Sequence, residues 1–200
     1  MVWMVAGLLA AVVLASTPMT SSSRYMDPDR ARYGQTPWAM GLTGGALVPM
    51  RFPNGPDFGV TTVATFGLSF RRWVAPHWSI PFAVGGAVFT HRLGDAPQRQ
   101  NDVGLWSEAG VRRDFGTHRL TPFVSAMGTA RFVEAMGTAW GIVSMGVGPT
   151  AGLEFRLAPQ AGLQASFDTR FNYNVARRPL GRQRGNDVSI GGTGTVVYYF

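Results

Sequence analysis

The residues best suited to a physical role are a few acids and arginines at alternate positions in the chain. Charged residues make up only 14% of its 200 residues. Glu154 and Arg156 are separated by one residue, as are Asp168 and Arg170. In an extended strand such residues share a face, so their opposite charges can pair. The eight charges that we single out are Arg71, Glu108, Arg112, Arg131, Glu154, Arg156, Asp168 and Arg170.

Patterns typical of catalysis or metal binding are weak by comparison. The histidines, His77, His91 and His118, are scattered and lack the spacing of a metal site. The glycines do not form a phosphate loop between a strand and a helix. His77-Trp78-Ser79 has a His-x-Ser spacing, but a histidine beside a turn is far more often structural. We expect no cofactor, no metal and no enzymatic activity.

From Trp38 onward, extended segments alternate with short and long polar breaks. The short breaks are 75–77, 116–118 and 158–160, each with the Pro or Gly of a tight turn. The long breaks are 49–59, 92–101, 133–141 and 174–187. Strict alternation of short and long connections is typical of an up-and-down barrel. We predict eight strands, at 37–48, 60–74, 78–91, 102–115, 119–132, 142–157, 161–173 and 188–200.

The predicted strands alternate apolar with small or polar side chains. In the seventh, Leu163, Phe167 and Phe171 share one face, whereas Asp168 and Arg170 share the other. A soluble barrel would turn its apolar face inward and cover its outside with charge, which this chain lacks. The sequence therefore predicts an all-β fold, an eight-stranded antiparallel transmembrane barrel whose apolar face meets lipid.

An eight-stranded barrel has an interior only wide enough for side chains to fill it, so inward charges must pair. We predict two salt-bridged clusters that plug the lumen. One contains Glu108, Arg131, Asp168 and Arg170, in the middle and outer half. The other contains Arg71, Arg112, Glu154 and Arg156, nearer the periplasm. An equal alternative for Arg71, Arg112 and Arg156 is that their side chains reach water at the rim.

Three prolines fall inside predicted strands, where each removes a donor from the hydrogen-bond ladder. Pro81 and Pro122 are compatible with strand starts, whereas Pro149 predicts a bulge or a different strand boundary.

The N-terminus indicates export. The apolar run from Val2 to Ala15 is shorter than the roughly 20 residues of a spanning helix, and it ends in small residues suited to cleavage. We predict a signal peptide at 1–15, a flexible periplasmic leader at 16–36 and a barrel at 37–200. The chain has no cysteine and a net charge of +7. In an exported chain this charge favours anionic lipid headgroups over nucleic acid.

This pattern resembles the small eight-stranded outer-membrane barrels, the OmpA-like and OmpX-like transmembrane domains, over roughly residues 37–200. In that group the last strand resembles an assembly signal, and Tyr198, Phe200 and polar Thr193 match it here. Thr195 stands at the expected glycine position, with Gly194 one residue away. The resemblance implies a bacterial outer-membrane location and recognition by the barrel-assembly machinery.

One predicted loop is rich in arginine. Its four arginines, Arg177, Arg178, Arg182 and Arg184, precede the first acid, Asp187. Guanidinium groups suit phosphates, so we predict contact with lipopolysaccharide or a host polyanion. A merely solvated loop is an equal alternative.

The sequence therefore favours a monomeric outer-membrane barrel with a structural or surface-interaction role and outer-membrane lipid as its partner. A second hypothesis is a narrow pore or a binder of small hydrophobic compounds, suggested by Phe89, Phe132 and Trp140 as apolar mouth residues. A third is a lipid A-modifying enzyme. Some barrels of this group are deacylases with a His-x-Ser motif, but His77 and Ser79 fall at a predicted periplasmic turn.

Overall fold

The computed structural model describes residues 38–50, 60–92, 99–116, 119–134, 141–158, 160–178 and 181–200. Within these ranges, only the backbone is described at 60, 61, 91, 92, 99, 100, 134, 176–178 and 181–183. The predicted signal peptide and leader lie outside the described residues.

Eight strands form a closed antiparallel barrel in which each strand pairs with its neighbours in sequence and β1 pairs with β8. The predicted fold class and strand number are confirmed. The strands are β1 (Trp38–Met50), β2 (Val60–Ala75), β3 (Trp78–Arg92), β4 (Arg99–Asp114), β5 (Leu120–Glu134), β6 (Gly141–Ala158), β7 (Ala161–Arg178) and β8 (Gly181–Tyr199).

The two ends of the barrel differ in their connections. At one end, named the turn end, short segments join β2 to β3, β4 to β5 and β6 to β7. His77 in the first of these turns has a left-handed φ of 63°. β1 begins and β8 ends here as well, since Trp38 pairs with Arg72 near the end of β2 and the Phe200 amide donates to the Trp38 carbonyl at 3.2 Å. The opposite end is named the loop end.

The last hairpin differs from the prediction. Residues 174–187 do not form a long loop, because β7 continues to Arg178, β8 begins at Gly181, and Arg177 pairs with Arg182. Polar side chains hold the hairpin together at its base. Asn172 and Asn174 donate to the Asp187 carboxylate at 2.7 and 2.5 Å. The polar composition of this segment predicts a loop, whereas the two strands continue through it.

The prolines interrupt the hydrogen-bond ladder without shifting the register. Pairing of β6 with β7 skips Gly148 and Pro149 and resumes unchanged at Thr150. Both predicted alternatives at Pro149, a bulge and a different strand boundary, are therefore wrong, because β6 continues through Pro149 to Ala158. The Arg170 guanidinium donates to the Pro149 carbonyl at 3.1 Å and spans the gap from within the barrel. Pro122 lies near the start of β5, as predicted, whereas Pro81 interrupts the pairing of β3 with β4.

Large apolar side chains cover the outside of the barrel. Leu42, Val147 and Phe167 are 67%, 65% and 58% exposed, while the residues between such positions are buried in the lumen. The predicted two-residue period is thus confirmed. Within the described ranges, no helix has the length and apolarity needed to cross a membrane.

The interior is not polar throughout. Near the loop end an apolar cluster fills the lumen beside β2 to β6, and its largest members are Phe89, Trp106, Val133 and Ile142. The expectation that small and polar side chains fill the inner face throughout is therefore wrong for this region.

Candidate functional site

The most highly connected group in the lumen is the turn-end cluster, which consists of Arg71, Arg112, Asp114, Glu154 and Tyr199. Glu154 accepts from Arg71 at 2.5 Å and from Arg112 at 2.6 Å. Arg112 also donates to Asp114 at 2.6 Å. Each charged side chain in this group is nearly inaccessible to solvent. Two arginines and two acids thus neutralise one another across the barrel.

Aromatic and amide groups complete the turn-end cluster. Tyr199 donates its hydroxyl to the second Glu154 oxygen at 2.5 Å, and Arg112 donates to the Gln164 side chain at 2.6 Å. The Arg112 guanidinium lies 3.6 Å from the ring centroid of Phe123, and that of Arg71 lies 4.4 Å from that of Trp73. Burial of the charges is therefore offset by ion pairs, hydrogen bonds and ring contacts together.

A second group, the mid-barrel cluster, consists of Glu108, Thr150, Asp168, Arg170 and Thr193. Arg170 pairs with Asp168 at 3.1 Å and with Glu108 at 3.6 Å. Thr150 and Thr193 donate their hydroxyls to Asp168 at 2.6 and 2.7 Å. Ser166 donates to Asp168 as well, at 3.4 Å, so Asp168 accepts from four side chains that come from three strands.

A cavity of about 70 Å³ lies between the two clusters. Arg71 and Arg112 contribute to its wall, as do Glu108 and Asp168 from the other cluster. The lining also includes the serines and threonines Thr43, Ser69, Ser125, Ser166 and Thr195. A cavity of this size, with polar residues in part of its wall, has room for a few water molecules but not for a typical small-molecule ligand.

Two of the eight predicted charges do not join an ion pair with any carboxylate in the described part of the chain. Arg156 is half-buried, and its guanidinium lies over the Tyr199 ring, 5.1 Å from the centroid. Arg131 is buried near Glu108 and Asp168, but Arg170 already pairs with both of those acids. Among the described residues, the structure thus brings six of the eight predicted charges into ion pairs and leaves Arg131 and Arg156 outside them.

The structure does not place Arg71 and Arg112 at the rim, because both side chains are buried in the lumen at 6% and 2% exposure. Their guanidinium groups meet Glu154 instead of water.

The His-x-Ser pair is not presented to lipid. His77 lies in the β2–β3 turn, as predicted, and the Ser79 side chain is fully buried on the inner face. Only the intervening Trp78 faces outward, at 41% exposure. In the part of the chain that the structure describes, no group of three or more His, Cys, Asp or Glu residues is arranged to hold a metal ion.

The predicted apolar mouth is not assembled. Phe89 is buried inside the lumen, whereas Phe132 is 41% exposed on the outer face. Phe132 is adjacent to Val133 in β5, and because Val133 points inward, Phe132 must point outward. Trp140 lies outside the described residues.

Two predicted surface features lie at opposite ends of the barrel. The backbones of Arg177, Arg178 and Arg182 belong to the last hairpin, but their side chains lie outside the described residues. Arg184 is exposed. At the turn end, Tyr198 and Phe200 are about half exposed on the outer face, and their rings meet edge to face at 5.1 Å.

Sequence reasoning missed several members of the network. Asp114 was detectable, because Arg112 and Asp114 share a face of a predicted strand. Tyr199 was assigned no role, although its position between Tyr198 and Phe200 turns it inward. Asp187 falls at the end of a predicted loop, so no strand pattern in the sequence indicated its contacts with Asn172 and Asn174.

Comparisons with known proteins bear on the fold. No protein-family model matches the sequence, and a comparison with curated proteins finds no match. Among solved structures, Neisserial surface protein A is 16% identical, with a TM-score of 0.51, and the match covers 84% of this chain and 99% of that one. The outer membrane protein OprG from Pseudomonas aeruginosa is 11% identical, with a TM-score of 0.52 and coverage of 82% and 95%. The chain therefore has the fold of the small eight-stranded outer-membrane barrels, as its resemblance to the OmpA-like and OmpX-like group predicted.

Proposed function

We propose that this chain is an integral protein of the bacterial outer membrane with a structural or surface-interaction role, and that its lumen is closed to solutes by its own side chains. One observation carries the proposal. Every carboxylate whose side chain is described points into the barrel, while large apolar side chains cover its outside. These inward acids are Asp102, Glu108, Asp114, Glu154, Asp168 and Asp187.

The proposed partners follow from the outer surface. The apolar exterior suits membrane lipid, and the arginines of the last hairpin suit the phosphates of lipopolysaccharide. Tyr198 and Phe200 are exposed at the end of β8, where the barrel-assembly machinery would meet them. The chain acts as a monomer and without enzymatic activity in this proposal, because a closed barrel pairs all its edges internally and Ser79 is shielded from lipid.

The closed lumen is tested by single-channel recording in planar bilayers. We expect no reproducible large conductance, because the turn-end and mid-barrel clusters both cross the lumen. Correct insertion is checked beforehand by the migration of the unboiled protein on a gel. A stable, large open conductance from inserted wild-type protein would refute the closed lumen.

A further inference from the structure

The charge on the described outer surface has one sign only. All six described carboxylate side chains point into the lumen, whereas Arg72 and Arg113 point outward near the turn end and Arg184 does so near the loop end. Arg119 lies on the outside at the turn end as well, above Phe155. An outer surface with arginines and no described carboxylates attracts anions.

Two of these arginines form an arginine–aromatic patch, defined as Trp78, Arg113, Phe115, Arg119 and Phe155. The Arg113 guanidinium lies 5.5 Å from the ring centroid of Trp78 and 5.4 Å from that of Phe115. The Arg119 guanidinium lies 5.1 Å from the Phe155 ring centroid, and its Nε donates to the Arg156 carbonyl at 3.1 Å. The patch thus extends across the ends of four consecutive strands, β3 to β6.

The contacts hold the guanidinium groups in place without neutralising them. Neither Arg113 nor Arg119 pairs with a carboxylate among the residues that the structure describes. Stacking on a ring restricts the guanidinium orientation while leaving N–H groups at its edge for an acceptor. The neighbouring outward side chains Val124 and Leu153 are apolar and about half exposed. A ligand for this patch should therefore have both an anionic head and apolar chains.

We propose that this patch binds the phosphate group of an anionic glycerophospholipid, such as phosphatidylglycerol, in the periplasmic leaflet. The inference rests on the proposed function, because the turn end faces that leaflet only if the barrel spans the outer membrane. Aromatic rings lie at the depth of lipid headgroups in barrels of this kind, so phosphate groups approach Arg113 and Arg119 directly. A zwitterionic lipid offers the same phosphate but adds a compensating positive charge.

The test uses Trp78 as a reporter of the lipid next to the patch. In the full chain with W3F, W38F and W140F, the remaining tryptophans besides Trp78 are Trp73 and Trp106, which are buried in the lumen. The protein is folded into phosphatidylcholine vesicles containing a fraction of brominated phosphatidylglycerol or of brominated phosphatidylcholine. We expect quenching that corresponds to roughly 30-fold enrichment of the anionic lipid, since the two arginines near the membrane surface contribute about 1 kcal/mol each. About 0.5 M salt should reduce the enrichment.

Variants separate the patch from a general charge effect. R113Q with R119Q should lower the enrichment to nearly onefold, whereas R113K with R119K should retain most of it because the charge is kept. R184Q is the matched control, since it removes an exposed outward arginine near the opposite end, and it should leave the Trp78 signal unchanged. Equal quenching by both lipids in the reporter protein, or unchanged enrichment in the glutamine variant, would overturn the inference.

The failure of this inference can be distinguished from failure of the proposed function. Equal quenching of Trp78 by both brominated lipids would leave a membrane barrel without lipid selectivity. Absence of quenching by either lipid would show that Trp78 does not meet the bilayer, and both proposals would then be lost.

Discussion

Glu154 is the residue on which the turn-end cluster depends. Its two oxygens accept from Arg71, Arg112 and Tyr199, so a single carboxylate serves three donors from β2, β4 and β8. Removing one partner of a buried ion pair costs more than the pair contributes, because the remaining charge stays buried without compensation. Here two guanidinium groups would lose their common acceptor.

Replacing Glu154 with Gln should therefore destabilise the barrel more than the same change elsewhere in the lumen. We expect E154Q to lower the free energy of unfolding by about 3 kcal/mol, measured by urea titration of the protein folded in vesicles. The matched control is E108Q. The Glu108 side chain is 21% exposed and lies 3.6 Å from its arginine partner, so its loss should cost clearly less. Equal losses in both variants would contradict the central role of Glu154.

At the residue scale, the inward placement of charge was predictable, whereas the partner of each charge was only partly so. Strand parity placed Glu154 and Asp168 in the lumen from the sequence alone. Which arginine each acid meets depends on the register across several strands and on side-chain reach. Arg156 therefore lies over Tyr199 instead of joining an acid, although its inward position was predicted.

At the scale of strands, small residues in β2 and β3 make room for the apolar cluster near the loop end. Gly67 and Gly85 are paired across the two strands and Gly85 is paired with Trp106 of β4. The Trp106 indole reaches past both glycines and donates to the Phe66 carbonyl at 3.2 Å. A Cβ atom at Gly85 would lie 2.6 Å from Gly67 Cα and would also meet the Phe66 carbonyl oxygen. The strands therefore have no space for a larger residue there.

Gly85→Ala is expected to push β2 and β3 apart and to weaken the Trp106 hydrogen bond. The free energy of unfolding in vesicles should fall by roughly 1 to 3 kcal/mol, together with a change in Trp106 fluorescence. Gly194→Ala is the control, because the nearest atoms to an added Cβ there lie 4.0 Å away. A G85A barrel as stable as G194A would show that the close packing at Gly85 is unimportant.

The end of β8 supports a different kind of prediction. Phe200→Ala should reduce the amount of folded barrel in the cell envelope several-fold, because we propose that Phe200 is read by the barrel-assembly machinery. Its stability in vesicles should change no more than that of F171A, which truncates a similarly exposed outward phenylalanine of β7. Quantitative immunoblots of unboiled membranes measure the folded amounts. Equal envelope levels of F200A and F171A would argue against an assembly signal at Phe200.

The strands themselves were largely predictable from alternation, and the last hairpin shows where that signal ends. Asn172 and Asn174 continue the inward polar face of β7. The segment from Arg177 to Gly185, however, has no alternating apolar residues that would form an outward apolar face. A strand beyond the lipid-facing region does not need one, since its exterior meets water. Composition therefore indicates a loop where cross-strand hydrogen bonds extend the sheet.

At the scale of the whole molecule, apolar and charged side chains exchange the positions that they occupy in a soluble protein. Residues such as Leu42, Leu105 and Phe171 are more than half exposed, while Arg112 and Glu154 are buried. This arrangement is stable only where the exterior meets hydrocarbon, because apolar surface in water is unfavourable at roughly 25 cal/mol per Å². The apolar cluster inside the loop end adds packing to the lumen without changing this general arrangement.

The central claim is that folding of this barrel requires a bilayer or a detergent, and gel migration tests it most directly. The chain is diluted from urea into lipid vesicles or into buffer alone and is then run on a gel with and without boiling. We predict a distinct band for the unboiled protein only in the presence of lipid, and its conversion to the fully unfolded position on boiling. A compact, soluble monomer formed in buffer without lipid would contradict the account.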